Sequence, residues 1–255
     1  AAGCVLLSVL FLQFFFHYSS LDLFFAAFII ASHIFMFKAL MKPRAPLAMG
    51  LAFLFASVAL MSKGVLGIVL PVLSAVLFCL WRGKPGRLLK GDFLLGLVLA
   101  LVPAIIWLGA IWAGGQHDVV VELLKQQVWG KAFGDSGHTE AWWYYLAVLP
   151  ALWLPWSFTA LVLPWHRLFS HTFREAVKSA RTGERQGLAF IWIFFLGSFC
   201  LISLIQHKQP VYVLPLLGPL AVLTGRAVLQ LSPLRSMILQ RLMAALFFLL
   251  AVTFV

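Results

Sequence analysis

Apolar runs separated by short polar breaks make up most of the chain. The runs cover residues 1–16, 21–37, 47–61, 65–81, 93–113, 142–165, 188–205, 211–229 and 237 onward. Runs near 20 residues long predict helices that cross a bilayer. The pattern therefore predicts an all-α integral membrane protein of about nine transmembrane helices, the first and last truncated. Prolines 150, 155 and 164 fall inside the sixth run, which neighbouring helices can accommodate by satisfying the freed carbonyls. The chain opens at Ala1 inside one run and stops at Val255 inside another. It is expected to be an internal fragment, one transmembrane domain over 1–255, with no readable signal peptide.

One break is long. Residues 114–141 hold Asp118, Glu122, Asp135 and Glu140, four of the eight acidic residues, and carry no excess of positive charge. Within it, Val119, Val120, Leu123, Leu124 and Val128 oppose Asp118, Glu122, Lys125, Gln126 and Gln127, the pattern of an amphipathic helix lying in the membrane interface. Gly130, Gly134 and Gly137 follow, as in a flexible loop, and then Trp142-Trp143-Tyr144-Tyr145, an aromatic belt whose faces also suit a sugar.

Composition supports this reading. The chain is 63% hydrophobic and 11% charged, against about 25% charged in soluble domains. The net charge of +11 raises the question of a nucleic-acid partner, but the positions of the basic residues exclude one. Assigning the breaks alternately to two sides puts 15 of the 19 Lys and Arg in 38–46, 82–91, 166–187 and 226–241. The first side is thus cytoplasmic, with 166–187 a basic cytoplasmic loop, and the side carrying 114–141 is extracytoplasmic. The three cysteines, Cys4, Cys79 and Cys200, lie inside apolar runs and read as core residues.

The unusual polar residues fall on the sparsely charged side. Lys63, between Ser62 and Gly64, is read at the start of an apolar helix, where it would need an anion such as phosphate, or would snorkel to the interface. His207, Lys208 and Tyr212 bracket Pro210 and either complete a phosphate clamp or form a simple re-entry turn. Asp22 is either a helix cap or a ligand for a sugar hydroxyl or divalent ion. His138 and Glu140, two apart, can ligate one metal ion, though two residues are a weak signal. No nucleophile elbow, phosphate loop or dinucleotide fingerprint occurs, and no charged residue falls at mid-span, which weakens an ion-coupled transporter.

Four segments, SLDLFFAAFIIASHIFMFKAL, MSKGVLGIVLPVLSAVLF, GDSGHTEAWWYYLAVLPALWLPW and HKQPVYVLPLLGPLAVL, occur in this order. Together they resemble the bacterial membrane glycosyltransferases of the protein O-mannosyltransferase and lipid A aminoarabinose transferase superfamily. The resemblance implies a GT-C fold in the bacterial inner membrane and inverting transfer of a sugar from a polyprenyl-phosphate donor to an extracytoplasmic acceptor: lipid A, protein or glycan. It implies phosphate contacts from Lys63 and Lys208, a metal or substrate contact at His138, a supporting role for Asp22, and a divalent metal ion in some members. The alternatives are a flippase of lipid-linked sugars, which would need a polar path through the spans, and a subunit supporting another catalytic chain. The family's catalytic acid lies in an outer loop before the segment matching 1–16, so the base is expected upstream. These 255 residues alone are expected to be inactive; detectable sugar transfer by them in a reconstituted assay would overturn this.

Overall fold

The structure, a computed structural model, describes residues 1–17, 21–125, 140–166, 171–181, 183 and 185–253. Their regular elements are helices: α1 (Ala2–Leu7), α2 (Leu10–His17), α3 (Leu21–Leu40), α4 (Pro46–Lys63), α5 (Leu66–Trp81), α6 (Gly91–Ala113), α7 (His117–Leu124), α8 (Tyr144–Leu152), α9 (Thr159–Val162), α10 (His171–Ser179), α11 (Gln186–Leu204), α12 (Leu214–Leu229) and α13 (Pro233–Thr253). Over its described residues each apolar run is built mainly of helix. Among the described residues, however, six helices are long and apolar enough to cross a membrane, or seven if a bent pair counts as one. Three of the expected nine runs fall outside that length count, each for a local reason. The first run breaks at Ser8, the sixth bends by 111° between Leu152 and Trp156, and α5 is a shorter apolar helix. Hydropathy detects apolar length and does not register a bend.

The two breaks satisfy one another. The Leu10 amide, at the open N-terminal end of α2, donates to the Leu154 carbonyl at 3.0 Å. The Trp156 indole donates to Ser8 Oγ at 2.8 Å, and that hydroxyl donates to the Cys4 carbonyl at 2.8 Å. Backbone groups released by a bend inside a membrane need such partners.

Helix α3 is the hub. Ser32 Oγ donates to the Ala52 carbonyl of α4 at 2.8 Å, and His33 Nε2 lies 3.0 Å from Ser74 Oγ of α5. The His33 ring stacks on Phe194 of α11 with centroids 3.5 Å apart. The buried side chains form two cores that both draw on α3. One gathers Phe25, Ile29, Tyr145, Ile202, Tyr212 and Leu217; the other gathers Met36, Met49, Phe53, Phe78, Phe93 and Phe190. The α4–α5 hairpin closes tightly because Gly67 lacks a side chain: a Cβ there would stand 2.2 Å from the Leu60 nitrogen.

Among the described residues, the breaks 38–46 and 82–91 meet at one end of the bundle. At the basic end, buried Arg87 donates to both Asp92 oxygens, at 2.8 and 2.7 Å, and to the Ala39 and Lys42 carbonyls, each at 3.1 Å. Arg82 donates to the Leu40 carbonyl at 3.1 Å, and Arg181 to the Trp81 carbonyl at 2.6 Å. These arginines cap carbonyls at or near the ends of α3 and α5, which have no acceptor use within their own helices. Residues 140 and 206 meet at the opposite end, where the Glu140 amide donates to the Gln206 carbonyl at 3.3 Å. The chain therefore passes from one end to the other between 140 and 181, and the bent α8–α9 pair serves as a single crossing.

Arg87→Ala would strand the Asp92 carboxylate in a buried setting. Its expected cost is about 3–5 kcal/mol, the range for removing one partner of a buried ion pair. Arg87→Lys should fall in between, because an ammonium cannot reproduce the bidentate contact. Thermal unfolding in detergent measures both; an unchanged midpoint for Arg87→Ala would contradict the assignment.

Candidate functional site

Helix α4 continues through Ser62 and Lys63 and stops at Gly64, whose φ of 81° ends the helix without the penalty a Cβ would bring. Lys63 thus occupies the last turn of α4, which corrects its expected place at the start of a helix. The Ser62-Lys63-Gly64 break reads the same from either side in sequence, and glycine as the terminator decides it. At a C-terminus the helix dipole favours the ammonium. Its partner is Asp22, in the first turn of α3, where the dipole favours a carboxylate. The pair is partly buried, with 22% and 18% of the two side chains exposed, and it links the start of α3 to the end of α4.

Tyr212 completes the cationic corner. It lies in the 3-10 turn Pro210–Val213 that leads into α12, is buried, and presents its ring 5.6 Å below Lys63 Nζ. The His207 ring lies 6.4 Å from the Tyr212 ring, and His207 Nε2 is 3.1 Å from Gln209 Nε2. An amide nitrogen only donates, so this ring nitrogen accepts.

These residues form one end of a cavity of about 830 Å3. Ser62, Lys63, His207, Gln209 and Tyr212 give it a polar end. Leu101, Ala104, Ile105, Trp107 and Leu108 of α6, with Leu123 and Leu124 of α7, give it a long apolar wall. The amphipathic stretch is helical over His117–Leu124, with Val120 buried; its expected continuation to 129 lies outside the described residues. The cavity is shaped for an amphiphile with a compact polar head and a hydrocarbon tail.

Two expected participants, Lys208 and Glu140, are not on the cavity wall, and a third lies outside the described residues. Lys208 is buried, and its ammonium donates to the Glu140 carbonyl at 3.0 Å and the Ile205 carbonyl at 2.6 Å, so it is not on the cavity wall. Burial lowers its pKa from the ordinary 10.5, against the attraction of Glu140, which raises it. His138 lies outside the described residues. Glu140 is exposed, and among the described residues no group of three or more His, Cys, Asp or Glu is placed to hold a metal ion.

Other residues carry more than their sequence announced. Tyr145, read as part of an aromatic belt, is fully buried; its hydroxyl donates to the Gln209 carbonyl at 3.0 Å and accepts from the Gln209 amide at 3.2 Å. Trp142 and Trp143 remain exposed as a belt requires. Gln209 is thereby fixed as a cavity residue, with no signal in the sequence beyond its place beside Pro210. His33, overlooked at mid-span of α3, is a titratable side chain inside a hydrophobic run and so a default functional candidate. Its Nδ1 lies 2.7 Å from the Ile29 carbonyl, and the ring is packed away from the cavity.

No family model matches the chain. Among curated proteins it is 32% identical over 174 residues to undecaprenyl phosphate-α-4-amino-4-deoxy-L-arabinose arabinosyl transferase 2 of Pseudomonas fluorescens, covering 66% of this chain and 27% of that protein. It is 30% identical over 184 residues to the corresponding transferase of Pseudomonas aeruginosa, covering 72% and 30%. The chain thus matches under a third of the length of these relatives. Among solved structures, it superposes on the crystal structure of ArnT from Cupriavidus metallidurans bound to undecaprenyl phosphate, with a TM-score of 0.71 and 21% identity, over 96% of this chain and 43% of that one. The apo structure of the same protein gives 0.62 and 23%, over 88% and 38%.

Lys208→Met would keep the aliphatic stem and leave the Glu140 and Ile205 carbonyls without their donor. At ~1–3 kcal/mol for an unsatisfied buried group, hydrogen exchange at the Glu140 amide should quicken about tenfold or more. The unfolded chain holds the Lys208 proton more tightly than the folded one, so wild-type stability rises with pH through the window just below 10.5. Lys208→Met should lack that rise. Equal exchange rates and equal pH profiles would show that Lys208 does not anchor this turn.

Proposed function

The chain belongs to the superfamily of the undecaprenyl phosphate-α-4-amino-4-deoxy-L-arabinose arabinosyl transferases, of GT-C fold, and from that premise we propose that it builds the donor site of an inverting membrane glycosyltransferase. The donor is a sugar carried on a polyprenyl phosphate, 4-amino-4-deoxy-L-arabinose by analogy with the relatives, and the acceptor is lipid A. The protein sits in the bacterial inner membrane. The end bearing 114–141 and the cavity faces outward, and the basic end with 166–187 faces the cytoplasm.

The observation that carries this reading is the cavity itself, with Lys63, His207 and Tyr212 at one end and the apolar wall of α6 and α7 along the rest. The phosphate occupies the Lys63 corner and the polyprenyl chain lies on the wall. As the bond between the anomeric carbon and the phosphate oxygen lengthens, negative charge grows on the departing phosphate, and a fixed cation there lowers the barrier. Asp22 positions that cation. Tyr212 supports it from below, and the turn holding Gln209 is itself held by Tyr145. The acceptor hydroxyl needs a carboxylate to take its proton. Among the described residues no acidic side chain lines the cavity, so no base is assigned within them. No step is assigned to a metal ion either, since the described residues offer no donor set for one.

A flippase has less support. Among the described residues the middle of the bundle is apolar, and His33, its titratable group, is bonded to Ile29 and Ser74 and stacked on Phe194.

In the full-length enzyme, Lys63→Ala should lower turnover by about 100-fold to 1,000-fold, the usual loss on removing one electrostatic stabiliser of a transition state. Asp22→Asn should be less severe and should be felt mainly in turnover, because the ammonium remains but is no longer held. Product formation from a polyprenyl-phosphate sugar, followed by mass spectrometry of the acceptor, measures both. Wild-type turnover in Lys63→Ala would return Lys63 to the interface as a snorkelling side chain.

A further inference from the structure

A second groove lies at the opposite end of α3 and α4, where the two helices are joined by the basic turn. It holds about 360 Å3, lined by Phe35, Met41, Leu47 and Leu51 among other apolar side chains, together with Lys38 and Lys42. Leu47 is 78% exposed at the first turn of α4. Lys38 Nζ is held 5.1 Å from the centroid of the Phe35 ring, so its charge is fixed against the groove. Among the described residues neither Lys38 nor Lys42 has an ion-pair partner. Asp92, at the same end, is committed to Arg87 and to the Ala45 amide.

We propose that this groove binds one anionic glycerophospholipid from the leaflet at the basic end, an acyl chain lying on Phe35, Leu47 and Leu51 and the phosphate meeting Lys38 and Lys42. The groove sits where α3 ends at Leu40 and α4 starts at Pro46, which is the level of the headgroups for two spans joined by a turn. An apolar slot topped by two ammonium groups without a carboxylate partner is complementary to a lipid of net negative charge. A zwitterionic lipid would bring its own cation against the lysines. A free phosphate ion would leave the apolar slot unused. The polyprenyl donor belongs at the other end of these helices, beside Lys63. The bound lipid would brace the α3–α4 turn, whose Ala39 and Lys42 carbonyls are the ones Arg87 caps.

The test uses the full-length protein, delipidated in detergent and titrated with phosphatidylglycerol, phosphatidylcholine or undecaprenyl phosphate under native mass spectrometry. Wild type should take up phosphatidylglycerol in preference to phosphatidylcholine, and undecaprenyl phosphate should not displace it. The double variant Lys38→Ala/Lys42→Ala should bind phosphatidylglycerol about tenfold more weakly, with binding of phosphatidylcholine unchanged. A matching thermal midpoint for the lipid-free variant separates lost binding from lost folding; if the midpoint drops, the milder Lys42→Gln, with an expected loss of about fivefold, serves instead. Three results would overturn the proposal: equal uptake of the two glycerophospholipids by wild type, undiminished phosphatidylglycerol binding by the variants, or displacement by undecaprenyl phosphate. A fourth is a Leu51→Cys variant that a membrane-soluble maleimide cannot reach in the lipid-free protein, since another segment would then fill the groove. Lost lipid selectivity or lost lysine dependence leaves the Lys63 site untouched, whereas displacement by undecaprenyl phosphate would count against both, so the two readings fail distinguishably.

Discussion

In hydrocarbon, a backbone carbonyl or amide without a partner costs several kcal/mol, and no water is at hand to relieve it. Several of the described polar side chains answer that constraint. Arg82, Arg87 and Arg181 cap carbonyls where helices end at the basic face. Lys208 does the same at the other face, for Glu140 and Ile205. Ser8 and Trp156 bridge two helix breaks, and Tyr145 closes the turn around Gln209. With the carbonyls satisfied by long cationic side chains, the helices can stop, bend and restart at the places a binding cavity needs.

Against this background Lys63 is different. Its helix closes on the Gly64 amide, which donates to the Leu60 carbonyl at 2.7 Å. The ammonium is instead directed to Asp22 and the face of Tyr212, at the mouth of a cavity. A carboxylate that holds a lysine also competes for it. On the proposed function, the phosphodiester of the donor would share the ammonium with Asp22, and the pair would keep the cation in place when no donor is bound.

Much of this is legible in the sequence. The alternation of charged and uncharged breaks placed Lys63, His207 and Tyr212 on one face, and they do line one cavity with Leu123 and Leu124 of the long polar segment. Direction was harder to read. A lysine before a glycine between two apolar runs marks a boundary without saying which helix owns it. The neighbours His207 and Lys208 look equivalent in sequence, yet one faces the cavity and the other turns inward, because a tight turn sends adjacent side chains to opposite sides. Bends were invisible, since residues 142–165 are as hydrophobic bent as straight. The apolar wall of α6 carries no sequence signal that separates Trp107 or Ile105 from residues facing lipid. His138, the sharpest residue of the loop by sequence, lies outside the described residues.

The clasp between the two broken segments has a consequence for biogenesis. Ser8 and Trp156 are 148 residues apart. At about 5–20 residues per second of synthesis, the first segment waits roughly 7–30 s for the partner that completes its hydrogen bonds. Until then α1 and α2 are poor candidates for release into lipid and are best kept in a hydrated or chaperoned setting at the insertion machinery. The order in which the chain leaves the ribosome is therefore not the order in which it can become a membrane protein: the early helices are finished by the late ones.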